Sequence, residues 1–173
     1  MKFYKLLILL LIYFAQTQIS YSDVAHYVDF KYVLNKSDAG AKAQKSLKNK
    51  LESGVKSLNK KQSALQEEEK NIIKQKKIIS EEEYKKKVTA LRKKVSDLQK
   101  ERKKLLGGVS KQRTQARNEL LKNLNPIIKE YMKEKNIRMV LNKQSLLVAD
   151  ESLDITNDII ALLNKKLKSI NIK

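Results

Sequence analysis

The chain has 173 residues, 38 basic and 19 acidic, for a net charge of +19, with no cysteine, no tryptophan, one histidine and one proline. Absence of cysteine excludes disulfides, thiol catalysis and thiolate metal sites, so any exported form relies on packing or self-association. A single histidine leaves no histidine pair for a metal or a relay, and no glycine-rich phosphate loop is present, so the sequence offers no enzyme chemistry and calls for no cofactor.

The N-terminus reads as a secretory signal over residues 1–22. Lys2 and Lys5 precede an apolar run from Leu6 to Ala15, and the small residues Ser20 and Ser22 stand at the −3 and −1 positions before Asp23. The strongly apolar part falls short of the about 20 residues that a spanning helix needs, so cleavage and export are expected. Residues 23–35 (DVAHYVDFKYVLN), rich in β-branched and aromatic side chains, predict a first strand that holds His26 as a packed or rim residue.

Residues 38–119 carry two apolar repeats of seven, Leu51, Leu58, Leu65, Ile72 and then Tyr84, Leu91, Leu98, Leu105. A seven-residue repeat lays one seam along a helix, and a seam needs a partner helix. Folding back near 76–80 sets Ile72 against Tyr84, Leu65 against Leu91, Leu58 against Leu98 and Leu51 against Leu105. The layers between are mixed: Glu68 meets Val88, Lys61 meets Val95, Gly54 meets Arg102 and Leu47 meets Val109. Ser80 and Glu83 predict a capping box on the returning helix. At ~1.5 Å per residue the outgoing helix would reach roughly 60 Å. Gly54, Gly107 and Gly108 cluster at nearly one level and are candidate hinge positions. Few large apolar residues lie outside the seam, chiefly Val55, Ile73, Ile78, Ile79 and Leu106.

Residues 23–37 and 120–173 are left to form a body. Pro126 predicts a kink or restart of the helix, with Asn125 as cap. Residues 137–142 (IRMVLN) and 145–149 (SLLVA) predict a second and third strand. A last helix follows, capped by Asp154 or Thr156, with Ile155, Ile159, Ile160, Leu163 and Leu167 on one side. Such a core is small for one chain, so self-association is expected through Val24, Val28, Phe30, Val140, Leu141, Leu147 and Val148. The fold class is mainly α with a small β body: a long antiparallel coiled-coil hairpin arm on a short-stranded oligomerisation body.

The charge has a bland reading and a functional one. Of the basic residues 33 are lysine and five arginine, and arginine is the side chain favoured for bidentate phosphate recognition. Most lysine runs are therefore read as solvated faces, with Lys74, Lys76, Lys77, Lys85 and Lys86 at the tip as the basic cluster to test against anionic lipid or lipopolysaccharide. Glu81 with Lys85 and Glu82 with Lys86 have the spacing of helical ion pairs. Phosphate contacts alone would allow non-specific nucleic-acid binding, but no groove-reading motif or stacking platform is present. A structural envelope coiled coil is the other alternative, and it leaves the strand-bearing ends unexplained.

The order of pieces, with VAHYVDFKYVL after the export signal, a long hairpin, IRMVLN, SLLVAD and then DITNDII, is similar to the Skp/OmpH family of periplasmic chaperones. The resemblance spans essentially the whole chain. It implies a homotrimer whose strands build one central body, with three arms around a cavity that holds unfolded outer-membrane proteins without ATP.

Overall fold

The computed structural model describes residues 24–171; the predicted export signal lies outside the described residues. A short strand β1 (His26–Val28) leads into helix α1 (Phe30–Lys36), then the long helices α2 (Asp38–Gln75) and α3 (Glu81–Glu134), strand β2 (Val140–Asn142) and the final helix α4 (Thr156–Lys166). β1 and β2 pair in parallel, His26 opposite Val140, Tyr27 opposite Leu141 and Val28 opposite Asn142. Parallel pairing requires a long crossover, and the whole hairpin is that crossover.

The first predicted strand is corrected: only three of its residues are strand, and Phe30 onward is helical. Asp29 is the cause, because its carboxylate accepts the Tyr32 N–H at 2.8 Å and starts α1. Ser37 then ends α1 and caps α2, its buried hydroxyl accepting the Gly40 N–H at 3.3 Å. The two helices turn so tightly here that a Cβ on Gly40 would lie 2.1 Å from the Leu34 carbonyl oxygen.

Ser80 caps α3 through the Glu83 N–H at 3.2 Å, which is the forward half of the predicted capping box, while the Glu83 carboxylate lies 3.9 Å from Lys87. α3 runs 54 residues, about 80 Å. The expectation of a restart at Pro126 is overturned: the helix passes through it, with Leu124, Ile127 and Ile128 buried around it. Core packing outweighs the one lost backbone bond, and the Lys122 carbonyl it frees sits at an exposed position that water can serve. α3 ends at Glu134 with Lys135 as C-cap, and the next residue, Asn136, has a φ of 53°, the left-handed turn asparagine tolerates, with the Ile137 N–H returning to the Met132 carbonyl at 2.9 Å.

The body core is one cluster joining Val28 of β1, Val33 of α1, Leu120, Leu124 and Ile127 of α3, and Ile155, Ile159 and Leu163 around α4. Ile155, not Asp154 or Thr156, holds the N-cap position of α4; Asp154, two residues ahead of the helix, accepts the Thr156 N–H at 2.9 Å, and Thr156 Oγ1 accepts the Asp29 N–H at 2.8 Å, tying α4 to α1. The predicted third strand is absent. Residues 143–145 form a 3-10 turn, and Leu147 and Val148 are fully exposed, since no neighbouring strand within the chain offers them a ladder.

The Tyr131 hydroxyl of α3 donates to Asp158 of α4 at 2.5 Å. Burial, then this bond and the Asp158 charge, push Tyr131 up to about 12. Between about pH 10, where an unfolded tyrosine ionises, and about 12, the folded chain keeps a proton that the unfolded chain has lost, so stability falls as pH rises. Guanidinium midpoints should therefore drop more steeply above about pH 10 for the wild type than for Tyr131→Phe. Parallel curves would show that this hydroxyl is not coupled to folding.

Candidate functional site

None of the eight seam residues is exposed: Leu58, Ile72, Leu91 and Leu98 are buried, and Leu51, Leu65, Tyr84 and Leu105 half-buried. In the mixed layers Val109 and Leu47 are buried, but Val95 is 42% exposed. The partners across the hairpin lie three to six residues beyond the expected ones. Gly54 is opposite Leu105 rather than Arg102, while Lys61 reaches Glu101 at 2.6 Å and Glu68 reaches Lys94 at 2.7 Å outside the seam. Side chains lean toward their own helix N-terminus, so on antiparallel helices the groups that meet come from Cα atoms that have passed each other.

The candidate hinge residues differ in kind. Added methyl groups on Gly107 and Gly108 would meet nothing within 4 Å, whereas one on Gly54 would lie 2.6 Å from Leu105. Gly54 is there for helix contact; packing makes no demand for the pair in α3.

At the tip, Glu81 and Glu82 bind Lys85 and Lys86 at 2.7 Å each, so two of the five candidate lysines are neutralised locally. Lys76 lies 5.8 Å from the Tyr84 ring centroid. Lys74 and Lys77 stand beside Ile73 and the 81% exposed Ile78. Such surface pairs contribute about 0–1 kcal/mol each and leave the tip free to rearrange. Val55, Ile73, Ile78, Val95 and Leu106 form a scatter of exposed apolar side chains along the arm rather than one patch. Ile79, expected outside the seam, is half-buried in the turn.

On the body, Val24 and Met139 are about half exposed and Leu147 and Val148 wholly so. Val140, Leu141 and Phe30 are half-buried. Val28, expected at an interface, is fully buried in the chain's own core and has no surface to offer a partner. His26 Nδ1 lies 3.2 Å from the Val24 carbonyl at the start of β1. Next to it, Lys143 sits 5.7 Å from the Tyr27 ring centroid and 3.5 Å from Asp154. Partial burial pushes the Asp154 carboxyl up, but Thr156 and Lys143 outweigh it and hold it below the ordinary carboxylate range. Burial, and then Asp154, raise the Tyr27 hydroxyl. This knot joins β1 to the turn after β2; sequence reasoning missed it because it depends on a contact across more than a hundred residues.

Among the described residues no helix is long and apolar enough to cross a membrane, and no three histidines or carboxylates gather as metal ligands.

The family described as outer membrane protein (OmpH-like) matches residues 25–163. The structure is similar to that of an OmpH-like protein from Caulobacter crescentus CB15, assigned as an outer membrane chaperone. The TM-score is 0.77 at 18% identity, covering 86% of this chain and 89% of that one. No curated protein matches the sequence.

Proposed function

Because this chain belongs to the OmpH-like outer membrane protein family, and so has a chaperone role, we propose that it is an ATP-independent periplasmic holdase for unfolded outer-membrane proteins. On this reading three copies join through the body and their arms enclose the client. The observation that carries it is the hairpin of α2 and α3, which projects well beyond the core and bears only scattered apolar side chains among many lysines. Unfolded β-barrel strands aggregate through apolar faces and unpaired edges. A wall of weak, dispersed contacts shields such a chain without gripping any one sequence, and needs neither a catalytic site nor a cofactor. The exposed Val24, Met139, Leu147 and Val148 are the apolar surface that self-association would cover.

Light scattering tests the reading. A urea-unfolded outer-membrane barrel protein diluted with the purified protein in molar excess should stay clear and form a discrete complex of one client per oligomer. Unchanged aggregation would sink the holdase assignment. The tip supports a second reading, contact with anionic lipid or lipopolysaccharide, because Lys74 and Lys77 lack ion-pair partners among the described residues beside the exposed Ile78.

A further inference from the structure

Where the arm meets the body, α1, the first turns of α2, α3 and the turn after β2 enclose a groove of about 600 Å³. Its floor is apolar, with Leu47 and Leu120 buried and Leu34 half-buried. Lys31, Arg113 and Arg117 line it too, and none of its described lining side chains is acidic. Arg113 and Arg117 stand one turn apart on one face of α3, both exposed, and neither forms an ion pair or hydrogen bond with a described residue. Elsewhere on the hairpin, some cations such as Lys61, Lys85, Lys86 and Lys94 have carboxylate partners, and others such as Lys74 and Lys77 stand unpaired among the described residues but line no such apolar groove. Two of the five arginines in a lysine-rich chain are thus placed, unpaired, beside an apolar floor.

The charge calls for an anion, and two guanidinium groups at this spacing suit a carboxylate. The side-chain amides of Gln44 and Gln144 also line the groove. Amides supply both donors and acceptors, as a peptide backbone requires and an acyl chain does not. The small volume favours a group that carries its apolar part and its carboxylate on one residue, which describes the last residue of a polypeptide. We propose that this groove binds the carboxyl-terminal residues of an unfolded client, with the final apolar side chain on the Leu47 and Leu120 floor and the terminal carboxylate between Arg113 and Arg117. This rests on the holdase reading and deepens it, giving the cage one fixed point at the root of each arm.

Fluorescence anisotropy with a short labelled peptide ending in an apolar residue tests it. The free acid should bind the wild-type protein about tenfold more tightly than the same peptide amidated, and Arg113→Gln with Arg117→Gln should abolish that preference. Equal binding of acid and amide overturns the proposal, as does equally tight binding of an amidated peptide with an internal aspartate. A changed oligomer mass for the double variant in sedimentation overturns it too, because the groove would then be covered by a second copy. Client light scattering run on the same samples separates the two claims: suppression with no acid preference removes the groove and keeps the holdase.

Discussion

Gly40→Ala should destabilise the body by about 3 kcal/mol or more, although the same exchange in an open helix interior gains up to about 1 kcal/mol from propensity. The added carbon would lie 2.1 Å from the Leu34 carbonyl oxygen, 2.8 Å from its carbon and 2.9 Å from Ser37 Oγ. Two of those atoms are backbone, so the junction of α1 and α2 must open, loosening the buried Ser37 cap and, with it, the packing of Val33 and Ala39 in the core. Gly107→Ala and Gly108→Ala are the contrast, since their methyl groups meet nothing. They should stabilise by about 0.5–1 kcal/mol each. Urea midpoints of the three variants check the signs, and a Gly40→Ala midpoint at or above wild type would mean that α1 does not sit on α2 as described.

Leu58→Asp or Leu98→Asp should melt the arm and leave the body assembled. Both leucines are about 6–7% exposed in the seam, and replacing either with a carboxylate forfeits the packing and strands a charge, at about 3–5 kcal/mol. Lost helical ellipticity, new proteolytic cuts between residues 38 and 119 and unchanged oligomer mass are expected. Val95→Asp, at a site 42% exposed, should shift stability by no more than about 0.5 kcal/mol. Should Leu98→Asp instead dissociate the oligomer, the proposed division of labour between arm and body would be wrong.

The arm was readable in the sequence because its interactions are periodic and local. Leucines seven apart name their own face, and Ser80 marks where the second helix starts. The body was harder, because its decisions are made between distant residues. The run YVDFKYVL has strand-like composition, yet Asp29 in its midst can cap a helix, and capping won once Val33 could reach α3 and α4. SLLVA was read as a strand from its apolar content, but a strand needs a neighbour, and this chain supplies none to Leu147 and Val148. Pro126 misled for the opposite reason: a local rule was overridden by Leu124 and Ile127 packing on either side of it. The groove beside Arg113 and Arg117 was invisible in sequence, since α1, itself unforeseen, forms one wall.

The core of the body ends at about the level of Ala39 and Leu120, Gln44 still reaches Asn35 of α1, and beyond the groove at Leu47 and Arg113 the arm is a two-helix hairpin of α2 on α3. Arm length is therefore an adjustable quantity, separable from folding of the rest. Removing or inserting seven residues in each leg at matching levels changes reach by about 10 Å while returning every surviving leucine to its face. Under the proposed caging, such increments would set the space between arms to suit the bulk of the client without renegotiating the base.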